Sequence, residues 1–379
     1  MLVTENLTEY SADEVFACAG RENNKKRGSL IVNKLQAKHV PAVPSKAAEL
    51  FRQLGKEVQT AISQKKGRTL VIGFAETATA IGAEIAAYLG GDCIYIHTSR
   101  ENIDPSLRVA DFSEEHSHAS EQNLFSAQGK DIFKGIDNIV FAEDELTTGK
   151  TILNFIRVLK PFTENCRFYA ASLINGMSSE NIAVFDENSI GIVYLIKIDS
   201  SLKSLQNAMD VSPLADTAAG SGNYRLITAD YPYDPRLGAN AADYADSCKK
   251  AAEHIIAQLS DELKSCRRID VIGTEECMLP AIYLGKELEK LGIEAFTHST
   301  TRSPIVPSDA EGYPLNMRCR LSSFYDTSRT TYIYNLFDCD MTIVTGDFSD
   351  DTGAASQLAS VMRSDKKIVA KLCKRNENQ

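Results

Sequence analysis

The sequence predicts an α/β protein of two successive domains, each a mostly parallel sheet with helices, the second a degenerate repeat of the first. Three observations carry this expectation. Short apolar runs of strand length alternate with stretches whose apolar residues recur at helical spacing, the pattern of βα units. The chain has 379 residues, enough for two domains with sizeable cores. Short matches also recur between its halves at a nearly constant separation.

Leu50 to Ile62 (LFRQLGKEVQTAI) places apolar residues on one helical face, and Arg68 to Phe74 (RTLVIGF) is an apolar run with Gly near its end. Thr79 to Leu89 returns to helical spacing, and Cys93 to His97 (CIYIH) to a strand. From Arg100 to Lys130 the rhythm breaks into a polar, acidic, His-containing segment, and long loops of that kind tend to be functional. Asn138 to Ala142 (NIVFA) is the next strand and Ile152 to Leu159 the next helix, followed by strands at Phe168 to Ile174 and Ile190 to Ile198.

The pattern weakens between Ser200 and Tyr224, where the small, flexible run TAAGSGN falls. The domains are therefore read as residues 1–210 and 211–379. A second βα series follows: a helix at Tyr244 to Leu259, a strand at Arg268 to Gly273 (RIDVIG) and a helix at Leu284 to Leu291. Thr331 to Leu336 and Met341 to Val344 are read as strands, and Ala354 to Met362 as a helix.

The halves match in detail. Val71-Ile72-Gly73 recurs as Val271-Ile272-Gly273, and Glu76 as Glu276, at an offset of 200. Arg100 matches Arg302 at 202, and Thr148-Gly149 matches Thr352-Gly353 at 204. A slowly growing offset with matches at strand ends predicts a duplication with small insertions.

Composition excludes several classes. With 43% hydrophobic and 24% charged residues the chain is neither disordered, collagen-like nor coiled coil. A net charge of −10, from 41 basic and 51 acidic residues, argues against a nucleic-acid backbone as partner. No apolar run approaches the ~18 residues of a membrane span, and MLVTENLTEY does not read as a secretory signal. Nine cysteines without a CxxC pair predict free thiols in a reducing cytoplasm, with neither a disulfide framework nor a structural zinc.

The most informative segment is IVFAEDELTTGKT, Ile139 to Thr151. A strand delivers acidic residues, then a Thr-Thr-Gly-Lys-Thr turn stands immediately before an amphipathic helix. Such a turn sets backbone N–H groups and hydroxyls at a helix N-terminus, where the macrodipole favours a phosphate. A Walker A loop would need Gly where Asp144 stands, and the carboxylates at 143 to 145 would repel a triphosphate. Acidic side chains beside a cradle for one phosphate suit a phosphorylated sugar instead. A solvated acidic loop that caps the helix is the bland alternative.

Here the chain resembles the type I phosphoribosyltransferase family, whose signature is an apolar strand, two acidic residues and T-[TS]-G-x-T. Those positions are Glu143, Asp144, Thr147, Thr148, Gly149 and Thr151, with Lys150 at the variable one. The first is Glu where the family often has Asp. Upstream, VIGFAETATAI has the form of the family's pyrophosphate loop, which assigns Ala75, Glu76, Thr77 and Ala78 to the leaving group. Arg100, after the next strand, is expected to neutralise pyrophosphate charge; an ordinary surface arginine is the alternative.

The run GSLIVNKLQAKHVPAVPS, the sequences HTSR and EEHSHA, and Thr301-Arg302-Ser303-Pro304 narrow the resemblance. They are similar to the phosphoribosyltransferase of tellurium-resistance (Ter) gene clusters, whose companion domain is named TRSP. The resemblance implies Mg²⁺, 5-phosphoribosyl 1-diphosphate as donor, and an unknown base-like acceptor. It further implies a nucleotide-like product for a stress response. Homodimers, or other proteins of the same gene cluster, are the protein partners it suggests. His116 and His118, in the polar loop, are expected to act as a base or as part of a lid. Two incidental imidazoles on a solvated loop are the alternative. Lys34 and His39 are expected in the hood that holds the acceptor. A sensor that binds the donor or a nucleotide without turnover, and a phosphorolytic direction, remain alternatives.

In the second half, Glu143-Asp144-Glu145 becomes Asp347-Phe348-Ser349 and Thr151 becomes Ala355. That half is expected to lack the chemistry, with Glu276, Arg302 and Ser303 its best candidates for binding.

Overall fold

The computed structural model of the chain describes residues 2–22, 29–63, 67–112, 122–163, 165–199, 211–348 and 353–374. Packing divides it into two compact units that interleave along the sequence. The first comprises Met1–Glu9, Glu49–Ser201 and Tyr233–Asp246; the second comprises Tyr10–Ala48, Leu202–Pro232 and Ser247–Gln379. The linear division at 210 read from the sequence is thus not the division by packing: residues 10–48 belong with the second unit and 233–246 with the first.

The chain begins β1 (Leu2–Asn6), α1 (Ala12–Val15), β2 (Phe16–Gly20), β3 (Ser29–Asn33) and α2 (Pro44–Ile62). It continues β4 (Thr69–Gly73), α3 (Thr79–Leu89), β5 (Ile94–His97), β6 (Arg108–Phe112) and β7 (Gln122–Phe125). Then come β8 (Asn138–Leu146), α4 (Lys150–Leu159), β9 (Arg167–Asn175), α5 (Ser179–Glu187) and β10 (Gly191–Asp199). The later elements are β11 (Arg225–Asp230), β12 (Ala239–Asn240), α6 (Ala241–Gln258), β13 (Arg268–Gly273), α7 (Leu279–Lys290) and β14 (Glu294–Ser299). Last are β15 (Arg318–Ser322), β16 (Thr330–Tyr334), β17 (Met341–Gly346), α8 (Ala354–Val361) and β18 (Lys366–Cys373).

In the first unit the sheet runs β1-β10-β9-β8-β4-β5-β12. Its five middle strands are parallel, and β1 and β12 close the edges antiparallel. Every residue of β4 is buried, as expected of a strand covered on both faces. Ile152, Phe155, Ile156 and Leu159 form the buried stripe of α4, at the i, i+3, i+4, i+7 spacing of one helical face. Phe74, Phe141 and Phe155 meet there, with ring centroids 5.8–6.0 Å apart, and floor the C-terminal edge of β4 and β8.

The second unit holds a sheet of order β11-β18-β17-β13-β14, parallel throughout among the described residues. The run β13-α7-β14, hairpin, β17-α8-β18 repeats β4-α3-β5, hairpin, β8-α4-β9. Hydrogen bonds repeat as well. Thr98 N–H donates to Gly73 O at 2.9 Å, and Thr300 N–H to Gly273 O at 3.0 Å. Ala75 N–H donates to Thr98 Oγ1 at 2.9 Å, and Glu275 N–H to Thr300 Oγ1 at 3.0 Å. The two sheets are one design used twice. No helix among the described residues is long and apolar enough to cross a membrane.

Candidate functional site

Strands β8, β4 and β5 lie side by side, and three segments singled out in the sequence leave their C-terminal ends. That edge of a parallel sheet is where α/β proteins bind ligands, because loops there are free to vary above a fixed scaffold.

The acidic segment belongs to the strand rather than to a loop. β8 continues through Leu146, with Glu143 level with Ser172 of β9, and Leu146 level with Asn175. Glu143, Asp144 and Glu145 are half-buried. Asp144 Oδ1 accepts a hydrogen bond from Glu145 N–H at 3.0 Å. The chain then turns through Thr147 and Thr148, both half-buried, to Gly149 at φ 69°, ψ 2°. Glycine is required there twice over. The left-handed backbone disfavours a side chain, and a Cβ would stand 2.4 Å from the Phe185 ring. Gly149, as the helix cap, brings no side chain to the first turn of α4, where Lys150 N–H donates to Thr148 Oγ1 at 3.4 Å. Lys150 is exposed and Thr151 half-buried at that turn.

The loop after β4 is set by Thr98. Its hydroxyl accepts from Ala75 N–H and donates to Gln122 Oε1, which fixes its orientation. Ala78 N–H donates to Phe74 O at 3.0 Å, and a Cβ on Gly73 would lie 2.9 Å from Ala78 O, so the turn closes directly onto the strand. Ala75, Glu76 and Ala78 are buried and Thr77 is half-buried. Arg100 is half-buried beside Ser99, which exchanges backbone hydrogen bonds of 2.8 and 3.0 Å with Asn123 of β7.

Sequence reasoning missed four residues here. Thr98, Gln122, Ser172 and Asn175 are buried at the same edge. Asn175 Oδ1 accepts from Met177 N–H at 2.9 Å and so shapes the floor beneath Gly149. Lys197 stands 3.5 Å from the same Oδ1, and burial holds its ammonium below the usual lysine range against an opposing pull from Asp199. The available signal was a polar residue interrupting an apolar strand, as Ser172 and Asn175 do in FYAASLIN.

The remaining expected residues belong to none of these three segments. His116 and His118 fall outside the described residues. Lys34 and His39, expected in an acceptor hood, pack in the second unit: Lys34 Nζ donates to Asp13 O, and His39 is buried edge-on to Tyr334 at 6.1 Å. In that unit Arg302 pairs with Glu275 at 3.0 Å and with Glu276 at 3.6 Å. Ser303 O accepts from Tyr334 OH at 2.6 Å. Asp347 accepts from Tyr325 OH at 2.7 Å, and Phe348 is buried against Phe324, so a ring fills the place of the central carboxylate. Among the described residues no group of three or more His, Cys, Asp or Glu is arranged to hold a metal ion.

A family model described as phosphoribosyl transferase matches residues 15–204, half of the 379-residue chain. The chain belongs to the phosphoribosyl transferase family. It is by family a pentosyltransferase, and all three segments at the strand ends lie within the matched span. A second model, described as the TRSP domain C-terminal to this transferase, matches residues 233–362. No curated protein matches the chain.

Among solved structures, the transferase is similar to the adenine phosphoribosyltransferase of Giardia lamblia complexed with 9-deazaadenine. Identity is 14%, covering 48% of this chain and 93% of that one, with a TM-score of 0.35. It is also similar to the adenine phosphoribosyltransferase of Trypanosoma brucei in complex with AMP, pyrophosphate and ribose-5-phosphate. There identity is 14%, coverage 52% and 86%, and the TM-score 0.36. The orotate phosphoribosyltransferase of Aeropyrum pernix is 16% identical over 43% and 77%, with a TM-score of 0.28.

Proposed function

We propose that the first unit transfers the phosphoribosyl group of 5-phosphoribosyl 1-diphosphate to a nitrogen of a base-like acceptor. Pyrophosphate is released, and the product is a nucleotide-like metabolite for a stress response. The observation that supports this reading most is the convergence of the acidic strand end, the Gly149 turn and the 75–78 loop on neighbouring parallel strands.

The residues have separable tasks. Thr147 to Thr151 hold the 5-phosphate, with first-turn N–H groups of α4 as donors. Glu143 and Asp144 accept hydrogen bonds from the ribose 2- and 3-hydroxyls. The loop at Ala75 to Ala78, with Arg100, holds the pyrophosphate. As the C1–O bond breaks, positive charge grows on the ribose, and the half-buried carboxylates stabilise it by fixed electrostatics. The acceptor nitrogen then bonds to C1, and its proton passes to the departing pyrophosphate or to solvent.

Mg²⁺ fits the residues present through water and the donor rather than by direct ligation: the half-buried carboxylates of Glu143 and Asp144 would hold water ligands of the ion, with phosphate oxygens completing its shell. When bound, it would neutralise charge on the departing pyrophosphate.

The test is mass spectrometry of the protein with donor, Mg²⁺ and a small-molecule extract. Pyrophosphate together with a new ribosylated compound supports transfer. Donor binding without consumption would support a sensor instead.

A further inference from the structure

The second unit carries a cluster of cations at the matching edge of its sheet, and a side chain of the same chain lies among them. In the first unit the loop position after β4 is Ala75. Its counterpart is Glu275, held by the same bond from its N–H to a threonine hydroxyl. The Glu275 side chain is 0% exposed. Its Oε2 accepts from Arg302 Nε at 3.0 Å and from Arg329 Nη1 at 3.4 Å. Its Oε1 accepts from Ser323 Oγ at 2.6 Å and from Phe324 N–H at 3.2 Å. Lys38, also 0% exposed, reaches the Glu275 backbone carbonyl at 2.8 Å.

Two guanidinium groups, a hydroxyl and a backbone N–H converging on two oxygens form the donor set that recognises a phosphoryl group. Arg302 also reaches Glu276, and Arg329 reaches Asp326. Removing the Glu275 side chain takes from both guanidinium groups the carboxylate they share, which is costly in a largely buried place until an anion enters. Arg302 and Arg329 keep 14% and 22% of their side-chain surface exposed, so a small ion has a way in.

We propose that this edge is an oxyanion cradle filled by the chain's own Glu275, and that phosphate or pyrophosphate is the class of ligand it takes once that side chain is out of it. The duplicated fold thus retains an anion site in its second copy but closes it from within. The proposal does not depend on turnover in the first unit.

The test is calorimetric titration of the full chain with inorganic pyrophosphate. Glu275→Ala empties the cradle and removes the charge, and it should bind one equivalent more than the wild type, whatever the first unit binds. The double variant Glu275→Ala/Arg329→Gln, with one guanidinium fewer on the anion, should lose that equivalent. The single variant should also melt below the wild type and recover in phosphate but not in chloride of equal ionic strength. Unchanged stoichiometry in Glu275→Ala would overturn the proposal. So would a single variant that stays unfolded in phosphate while the double variant folds. Failure of the single variant to fold in phosphate and chloride alike also counts against it, since an anion in the cradle should stand in for the carboxylate.

Discussion

Gly149 lies against the ring of Phe185 so closely that a Cβ on the glycine would come within 2.4 Å of two ring atoms. Phe185 is fully buried on α5, so the proposed phosphate turn is seated directly on the core. Shape and left-handed backbone both act at one residue. Gly149→Ala should therefore weaken donor binding by about 1–3 kcal/mol as the turn shifts off its donors. Adding Phe185→Ala should restore part of the loss, because the ring is removed while the left-handed strain of about 1–2 kcal/mol stays. Equal donor affinity of Gly149→Ala and wild type in calorimetry, with the fold intact, would remove the turn from the site.

Thr98 offers a second, independent handle. Thr98→Val keeps the shape but leaves Ala75 N–H without its acceptor, a loss of about 1–3 kcal/mol for a buried donor. The expected result is weaker binding of donor and pyrophosphate together with a lowered melting temperature. Thr300→Val, its counterpart, should lower stability without touching turnover. If both variants affect only stability, the loop at 75–78 does not hold the leaving group.

Donor binding should depend on Mg²⁺, because pyrophosphate brings concentrated negative charge to a chain of net charge −10. Titration of the donor in chelator and in millimolar Mg²⁺ checks this; equal affinities would count against both donor and mechanism.

Stability on the acid side should involve Asp216. Burial pushes its pKa up, but hydrogen bonds and charges from Arg318 and Arg320 outweigh that and hold it below the usual carboxylate range. A lowered folded-state pKa contributes stability above the unfolded value of about 3.9 and loses it as pH falls through the folded value. Asp216→Asn should melt below wild type at neutral pH, with the gap closing below about pH 4. A gap independent of pH would show that the charge does not matter.

Much of this was legible in the sequence, and for physical reasons. β4 and β13 are short, largely buried runs that both end in Val-Ile-Gly and read without ambiguity, and Phe348 marks where the second half departs from the acidic pair of the first. The apolar pattern ends the strand at Ala142, because charge suggests solvent, yet the ladder to β9 carries it to Leu146. α7 was read from Leu284 but starts at Leu279, since Pro280 sits in the first turn, where its missing N–H costs nothing. The placement of residues 10–48 with the second unit was invisible. It rests on pairings such as Arg21 with Ile305 and Ala42 with Thr297, which leave no local trace. A buried Lys38 also runs against the ordinary preference of lysine for the surface.

The most direct measurement compares Asp144→Asn with Asp347→Asn, at equivalent strand ends of the two sheets. Asp144 precedes a complete Thr-Thr-Gly-Lys-Thr turn, whereas Asp347 bonds Tyr325 OH at 2.7 Å beside the buried Phe348. Pyrophosphate release with donor and Mg²⁺ is the readout. Asp144→Asn should lower it by on the order of 10²–10³, with a smaller loss of donor affinity, since the lost charge matters most to the ribosyl cation. Asp347→Asn should leave it nearly unchanged. A crippled Asp347→Asn beside a fully active Asp144→Asn would contradict the assignment of catalysis to the first unit.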